Sequence, residues 1–174
     1  MDEIVDILNE KGNLTGETIS KNIAHSNGTW HGAIHIIIIN KEKTKTLFQY
    51  RCPDKKLYPN TWDVAVGGHI SKGETPMEAA KRELKEELGL NLDNYDIEEI
   101  ETVKETLTYE DIYSNEFITT YLIYTDIDVN ELTLQKEEVS DVKWFTKQEL
   151  KELREQNQTI PHLKLFDIIN KILI

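Results

Sequence analysis

Three glutamates, Glu83, Glu86 and Glu87, stand at positions i, i+3 and i+4 of one short acidic stretch. On a helix that spacing brings the three carboxylates to a common side. Like charges held so close repel unless something positive joins them, and a hard divalent cation, which prefers carboxylate oxygens and brings its own waters, answers that need. Taken alone, the run Lys81 to Glu87 reads more simply as a solvated helix face laced by i,i+4 pairs, Glu78 with Arg82 and Arg82 with Glu86.

The helix that must carry the cluster is well specified. Thr75 can cap its start, Pro76 suits the first helical position, and Glu78 completes a Thr-x-x-Glu capping box. Gly89 supplies the stop, and Met77, Ala80, Leu84 and Leu88 form a core-facing stripe. Before it, Glu3 to Ser20 reads as a hairpin turning at Lys11 to Asn13. Ala33 to Ile39, Thr46 to Arg51 and Trp62 to Val66 read as strands, the last running into Gly67 and Gly68. After it, Glu98 to Thr108, Phe117 to Thr125 and a short Val142 to Phe145 read as strands, and Thr146 to Glu155 and Leu163 to Ile174 as amphipathic helices. Strands and helices in this order predict an α/β or α+β sandwich with a mixed sheet.

The wider spacing separates the two readings of the acidic run. Gly68, five residues, Glu74, seven residues, Arg82-Glu83-Leu84, one residue, Glu86-Glu87, one residue, then Gly89-Leu90 matches the Nudix box at every defined position, and here the chain resembles the Nudix hydrolase family. The resemblance implies an α/β/α sandwich with a mixed β-sheet, to which this chain adds an N-terminal β-hairpin. It implies a Mg²⁺- or Mn²⁺-dependent pyrophosphohydrolase that cleaves a nucleoside diphosphate linked to another moiety, or a related small organic diphosphate. It places Glu83, Glu86 and Glu87 on the metal-ligand positions, Arg82 on the arginine that orients them, and Glu74 on the nearby loop glutamate. The chemistry fits: clustered cations neutralise phosphoryl oxygens and make water nucleophilic. A further carboxylate near them would serve as general base. The candidates are Glu116, near the start of a predicted strand, and Glu137 or Glu138, before the strand Val142 to Phe145.

A second resemblance, over roughly Val5 to Glu152, is to the isopentenyl-diphosphate isomerase branch of the same superfamily. It rests on His25, His31, the run from His35, Lys55 and Lys56 with Pro59, Trp62, and Gly68-His69. That branch binds one metal through histidines and glutamates and uses a cysteine just before its Gly-His pair. Here Gly67 occupies that place, Cys52 lies well upstream, and the branch's glutamate pair appears as Ser114 and Glu116. The intact box with the missing cysteine favours hydrolysis over isomerisation. A non-catalytic diphosphate-binding protein that has kept the box is a further alternative.

The histidines match no compact zinc spacing and have no cysteine beside them, so structural or substrate-contacting roles are expected, with His35 in the core. Arg51, Lys55, Lys56 and His69 are candidate phosphate contacts. Trp30, Tyr58 and Trp62 are candidate stacking residues, although Trp62 beside Val64 and Val66 reads more simply as core.

The 174 residues, 39% hydrophobic, suffice for one domain, with a core of about 31–155, an extension 1–30 and a C-terminal helix within 160–174. A formal charge of −12 disfavours a nucleic acid polymer as partner, while a small anion can bind where cations neutralise the carboxylates. One cysteine, an acidic N-terminus and no long apolar run predict a cytoplasmic protein with no membrane partner. Homodimerisation is compatible with the resemblance, though no sequence feature marks an interface.

Overall fold

The computed structural model describes residues 2–174. Two antiparallel strands, β1 (Ile4–Leu8) and β2 (Leu14–Ser20), form the expected N-terminal hairpin, and a seven-residue helix α1 (Lys21–Asn27) follows. Sequence periodicity does not announce α1, because it buries only Ala24; Gly28, at φ 74°, ends it in the left-handed conformation.

The sheet is built around β3 (His31–Ile39), every residue of which is buried. A β-branched run of that kind suits a strand covered on both faces. It pairs in parallel with β8 (Ile112–Tyr124) and antiparallel with β6 (Val66–His69), while its end meets β4 (Lys45–Arg51). β4 carries β5 (Trp62–Val64) and β9 (Val139–Thr146), and β7 (Ile97–Tyr109) pairs with β8 at the far edge. The sheet is therefore mixed, as expected. The single strand read over Trp62 to Val66 is two strands that part at Ala65 and pair with different neighbours.

Alternate residues of β3 feed two cores. Ile34, Ile36 and Ile38 pack with Ala80, Leu84 and Leu88 of α2 (Pro76–Leu88). Ile37 and Ile39 pack with Leu150 of α3 (Lys147–Glu155) and Leu165, Phe166 and Ile169 of α4 (Leu163–Ile172). Helices on both faces of one sheet make the α/β/α sandwich.

The strand read as starting at Phe117 begins at Ile112. A two-residue turn, Glu110-Asp111, with Glu110 at φ 51°, joins it to β7. Glu116 therefore lies inside β8, directly opposite His31 of β3, rather than near a strand start.

Candidate active site and second ligand cluster

Helix α2 starts as its sequence dictates. Thr75 Oγ1 accepts from the Glu78 N–H at 3.2 Å, the Thr75 N–H donates to Glu78 Oε2 at 2.8 Å, and Gly89 closes the helix at φ 73°. Its inward face carries Ala79, Ala80, Leu84 and Leu88, but also Glu83 and Glu87. Met77, expected in the stripe, is 41% exposed because it sits in the first turn, beyond the sheet's cover. Glu86, three residues from Glu83, faces outward onto a cleft of about 430 Å³ shared with Lys85, Gly89, Thr133, Leu134 and Gln135.

Arg82 braces the cluster. Its Nη1 donates to Glu83 Oε1 at 2.7 Å and Glu86 Oε2 at 3.4 Å, its Nε and Nη2 hold both oxygens of Glu74 at 2.7 and 2.9 Å, and Nη2 also reaches the His69 carbonyl at 3.0 Å. Gly68 lets Glu83 come close: a Cβ there would overlap the Glu83 carboxyl group. Glu87 Oε2 accepts from Gln49 Nε2 at 2.7 Å and lies 3.4 Å from the Gly67 N–H. Burial pushes the Glu83 carboxyl up to about 7 despite Arg82. Burial, and then the neighbouring Glu83, hold Glu87 well above the usual carboxylate range. Two buried acids disfavouring ionisation beside a third, exposed one form a donor set that fits a hard divalent cation.

The other expected contacts are placed unevenly. Lys55 meets Glu138, and the charges of both act on Glu87; Lys56 is exposed on the same loop. Arg51 turns inward: Nη2 donates to the Leu57 carbonyl at 2.7 Å, Nε to the Tyr58 carbonyl at 3.1 Å, and Nη1 lies 3.5 Å from Asp63. Glu137 is exposed, and its carbonyl accepts from Cys52 Sγ. Trp62 packs between Tyr50 and Phe145, Trp30 lies against Phe117 and under Lys104, and Tyr58 lies against Tyr109.

A second constellation joins residues that the isomerase-branch resemblance names but that spacing leaves without a shared role. His25 from α1, His31 from β3, His69 from β6 and Glu116 from β8 each turn one ligand atom into a space where all lie within 4.8 Å of one another. Glu116 Oε1 is 3.0 Å from His69 Nε2, 3.3 Å from His31 Nε2 and 3.8 Å from His25 Nε2, and it accepts from Ser114 Oγ at 2.8 Å. The Nε2 atoms of His25 and His31 are buried without a hydrogen-bond partner. His31 Nδ1 meets the Thr29 carbonyl at 2.9 Å, so Nδ1 carries the hydrogen and Nε2 is the atom aimed at the cluster. Burial alone would raise Glu116, yet the three imidazoles hold it well below its usual range. Three imidazole nitrogens, that of His31 oriented by an outer hydrogen bond, joined by one carboxylate fit a transition-metal cation better than Mg²⁺. His25 and His31 are six residues apart, but His69 and Glu116 are distant in sequence and join them only because β3 pairs with β6 and β8. His69 thus faces this cluster, not the α2 carboxylates, and Glu116 is already engaged by three rings.

Comparison with known proteins agrees with this architecture. A family profile for the NUDIX domain matches residues 29–166. An uncharacterised Nudix hydrolase of Listeria monocytogenes is 38% identical over 165 residues, 95% of this chain and 92% of its own length. The crystal structure of DR0079 from Deinococcus radiodurans superposes with a TM-score of 0.73 at 22% identity, covering 98% of this chain and 99% of that one. The NUDIX domain of Shewanella oneidensis NrtR, crystallised with ADP ribose, superposes at 0.59 with 19% identity, over 80% and 85% of the two chains. With the profile covering most of its length and a relative of this identity matched nearly end to end, the chain belongs to the Nudix hydrolase family.

Proposed function

We propose that this protein hydrolyses the diphosphate linkage of a small organic diphosphate, with a nucleoside diphosphate joined to another moiety as the leading substrate class. The observation that carries the reading is the Arg82-braced set of Glu83, Glu86 and Glu87, two of them buried with their ionisation disfavoured, a cost that a bound cation would offset. Mg²⁺ or Mn²⁺ held there would neutralise phosphoryl oxygens and lower the pKa of bound water. Gln49 and the Gly67 N–H orient Glu87, Arg82 orients Glu83 and Glu86, and Lys55 supplies a positive charge at the mouth. Glu138 is favoured over Glu116 as general base, because Glu116 is occupied by three histidines whereas the charge of Glu138 acts on Glu87. Arg51 contributes through its own loop rather than by direct phosphate contact.

The cluster of His25, His31, His69 and Glu116 favours a second reading, that of an isomerase. Against it, Gly67 offers no side chain where proton transfer would need one, and Cys52 is buried with Sγ on the Glu137 carbonyl. A hydrolysis screen with Mg²⁺ or Mn²⁺ over nucleoside diphosphate sugars, ADP-ribose, nucleoside triphosphates, dinucleoside polyphosphates and isoprenoid diphosphates tests the proposal. Phosphate-containing products are expected from at least one class, lost in Glu87→Gln. Interconversion of isoprenoid diphosphates without phosphate release would instead establish the isomerase, and full activity in Glu87→Gln would end the hydrolase reading.

A further inference from the structure

A second ionic network crosses the opposite face of the sheet and takes no part in holding the α2 carboxylates. His162, the residue before α4, is 5% exposed, and its two ring nitrogens meet carboxylates from two strands. Nδ1 lies 2.6 Å from Glu105 Oε1 in β7, and Nε2 lies 3.1 Å from Asp63 Oδ1 in β5. With acceptors on both sides the ring is satisfied only as an imidazolium donating twice. A cation between buried Asp63 and part-buried Glu105 balances charge that neither strand could bury alone.

The network continues from Asp63. Its other oxygen lies 3.5 Å from Arg51 Nη1, and the same guanidinium donates to the carbonyls of Leu57 and Tyr58. The connection preceding His162 is also fastened to β5: the Trp62 N–H donates to the Gln158 carbonyl at 2.8 Å, and the Ile160 N–H donates to the Trp62 carbonyl at 3.1 Å. Glu105, His162, Asp63 and Arg51 thus run in line from the sheet edge to the loop 52–61. That loop bears Lys55, which meets Glu138 beside the carboxylate cluster.

We propose that His162 is a positioning residue for this loop: by fixing Asp63, and through it Arg51, it sets where Lys55, whose charge acts on Glu87, stands. Truncating one member of a buried hydrogen-bonded charge set leaves the others uncompensated. Loss of His162 would therefore turn Asp63 and Glu105 against each other and release Arg51 from its loop carbonyls. The functional half of the proposal rests on the hydrolase reading; the structural half does not.

The test compares full-length wild type with His162→Gln, which has the size but not the charge, and with Asp63→Asn, which weakens the same network from its other end. Leu165→Ala serves as control, since it thins the packing of α4 beside Glu105 while removing none of the network's polar groups. The readouts are the rate of tryptic cleavage at Lys55 and Lys56, hydrogen exchange of residues 52–61, and affinity for inorganic pyrophosphate with Mn²⁺ by calorimetry. Cleavage and exchange in the loop should rise about tenfold in either network variant, with pyrophosphate affinity falling several-fold. Leu165→Ala, at an equal loss of thermal stability, should leave both within about twofold of wild type. Equal loop exposure in Leu165→Ala, or an unchanged loop in both network variants, would overturn the positioning role. An exposed loop with unaltered pyrophosphate affinity would overturn the link to the site. Failure of wild type to bind pyrophosphate at all would strike the hydrolase reading and the functional half with it.

Discussion

Burying Glu83 and Glu87 on the inner face of α2 is unfavourable to the fold on its own. Each carboxyl is ionised in the unfolded chain above about pH 4.5, while burial raises Glu83 to about 7 and Glu87 well beyond its usual range. A folded pKa raised in this way means that the stabilising contribution is complete below the unfolded value and disappears as pH rises through the folded one. At pH 7 to 8, without metal, Glu87 therefore weakens the native state. Glu87→Gln keeps the amide partner of Gln49 and removes the titration, so it should stabilise the metal-free protein. A rise in Tm of about 2–4 °C, what 1 kcal/mol gives in a chain of this length, is expected by calorimetry in chelator. The same variant should lose most of the stabilisation that wild type gains from Mg²⁺ or Mn²⁺. An unchanged metal response with a lower Tm in chelator would show that Glu87 is an ordinary structural acid.

Helix α2 can be read from sequence because each of its boundaries is local: the capping box at Thr75 and Glu78, Pro76 in the first turn, and Gly89 with a positive φ where a Cβ would press on Thr133. Thr75→Ala removes one side-chain acceptor from the first turn, which costs about 1 kcal/mol. Since Glu74, Thr75 and Glu78 lie in and next to that turn, the loss should appear as a Tm lower by about 2–4 °C and as faster hydrogen exchange in residues 76–80, with Leu84 to Leu88 little affected. What local signals do not carry is pairing. Ile112 to Glu116 mixes polar and apolar residues, so nothing in it marks the start of β8, and the break at Ala65 follows from β5 and β6 choosing different partners. The same limit hid the geometry of the histidine cluster, whose members only the isomerase-branch resemblance names. His25, His31, His69 and Glu116 have no mutual spacing that means anything until β3 lies between β6 and β8. Arg51, equally, reads as a free cation in sequence and proves to be spent on carbonyls of its own loop.

Across the whole molecule, buried ionisable groups pull stability in different pH directions, even within one network. Burial keeps His35 neutral down to about pH 4, and Asp63, whose burial is outweighed by His162, is held far below its usual value. Both contributions are present at neutral pH and are lost on acidification: the unfolded His35 takes up a proton below about 6.5, and Asp63 must be protonated at low pH. His162 acts in the opposite sense. Although burial opposes its charge, Asp63 and Glu105 raise it to about 10, so its contribution is full below about 6.5 and fades as pH climbs to 10. Denaturant unfolding in chelator should therefore show wild type losing stability steadily between pH 7 and 10. His162→Gln should start lower at pH 7, by the roughly 3–5 kcal/mol typical of breaking a buried ion pair, and fall less steeply, so that the two curves converge toward pH 10. Parallel curves over that range would mean that the alkaline loss arises elsewhere, in the general repulsion of a chain carrying twelve excess negative charges, and that His162 holds no proton beyond its ordinary range.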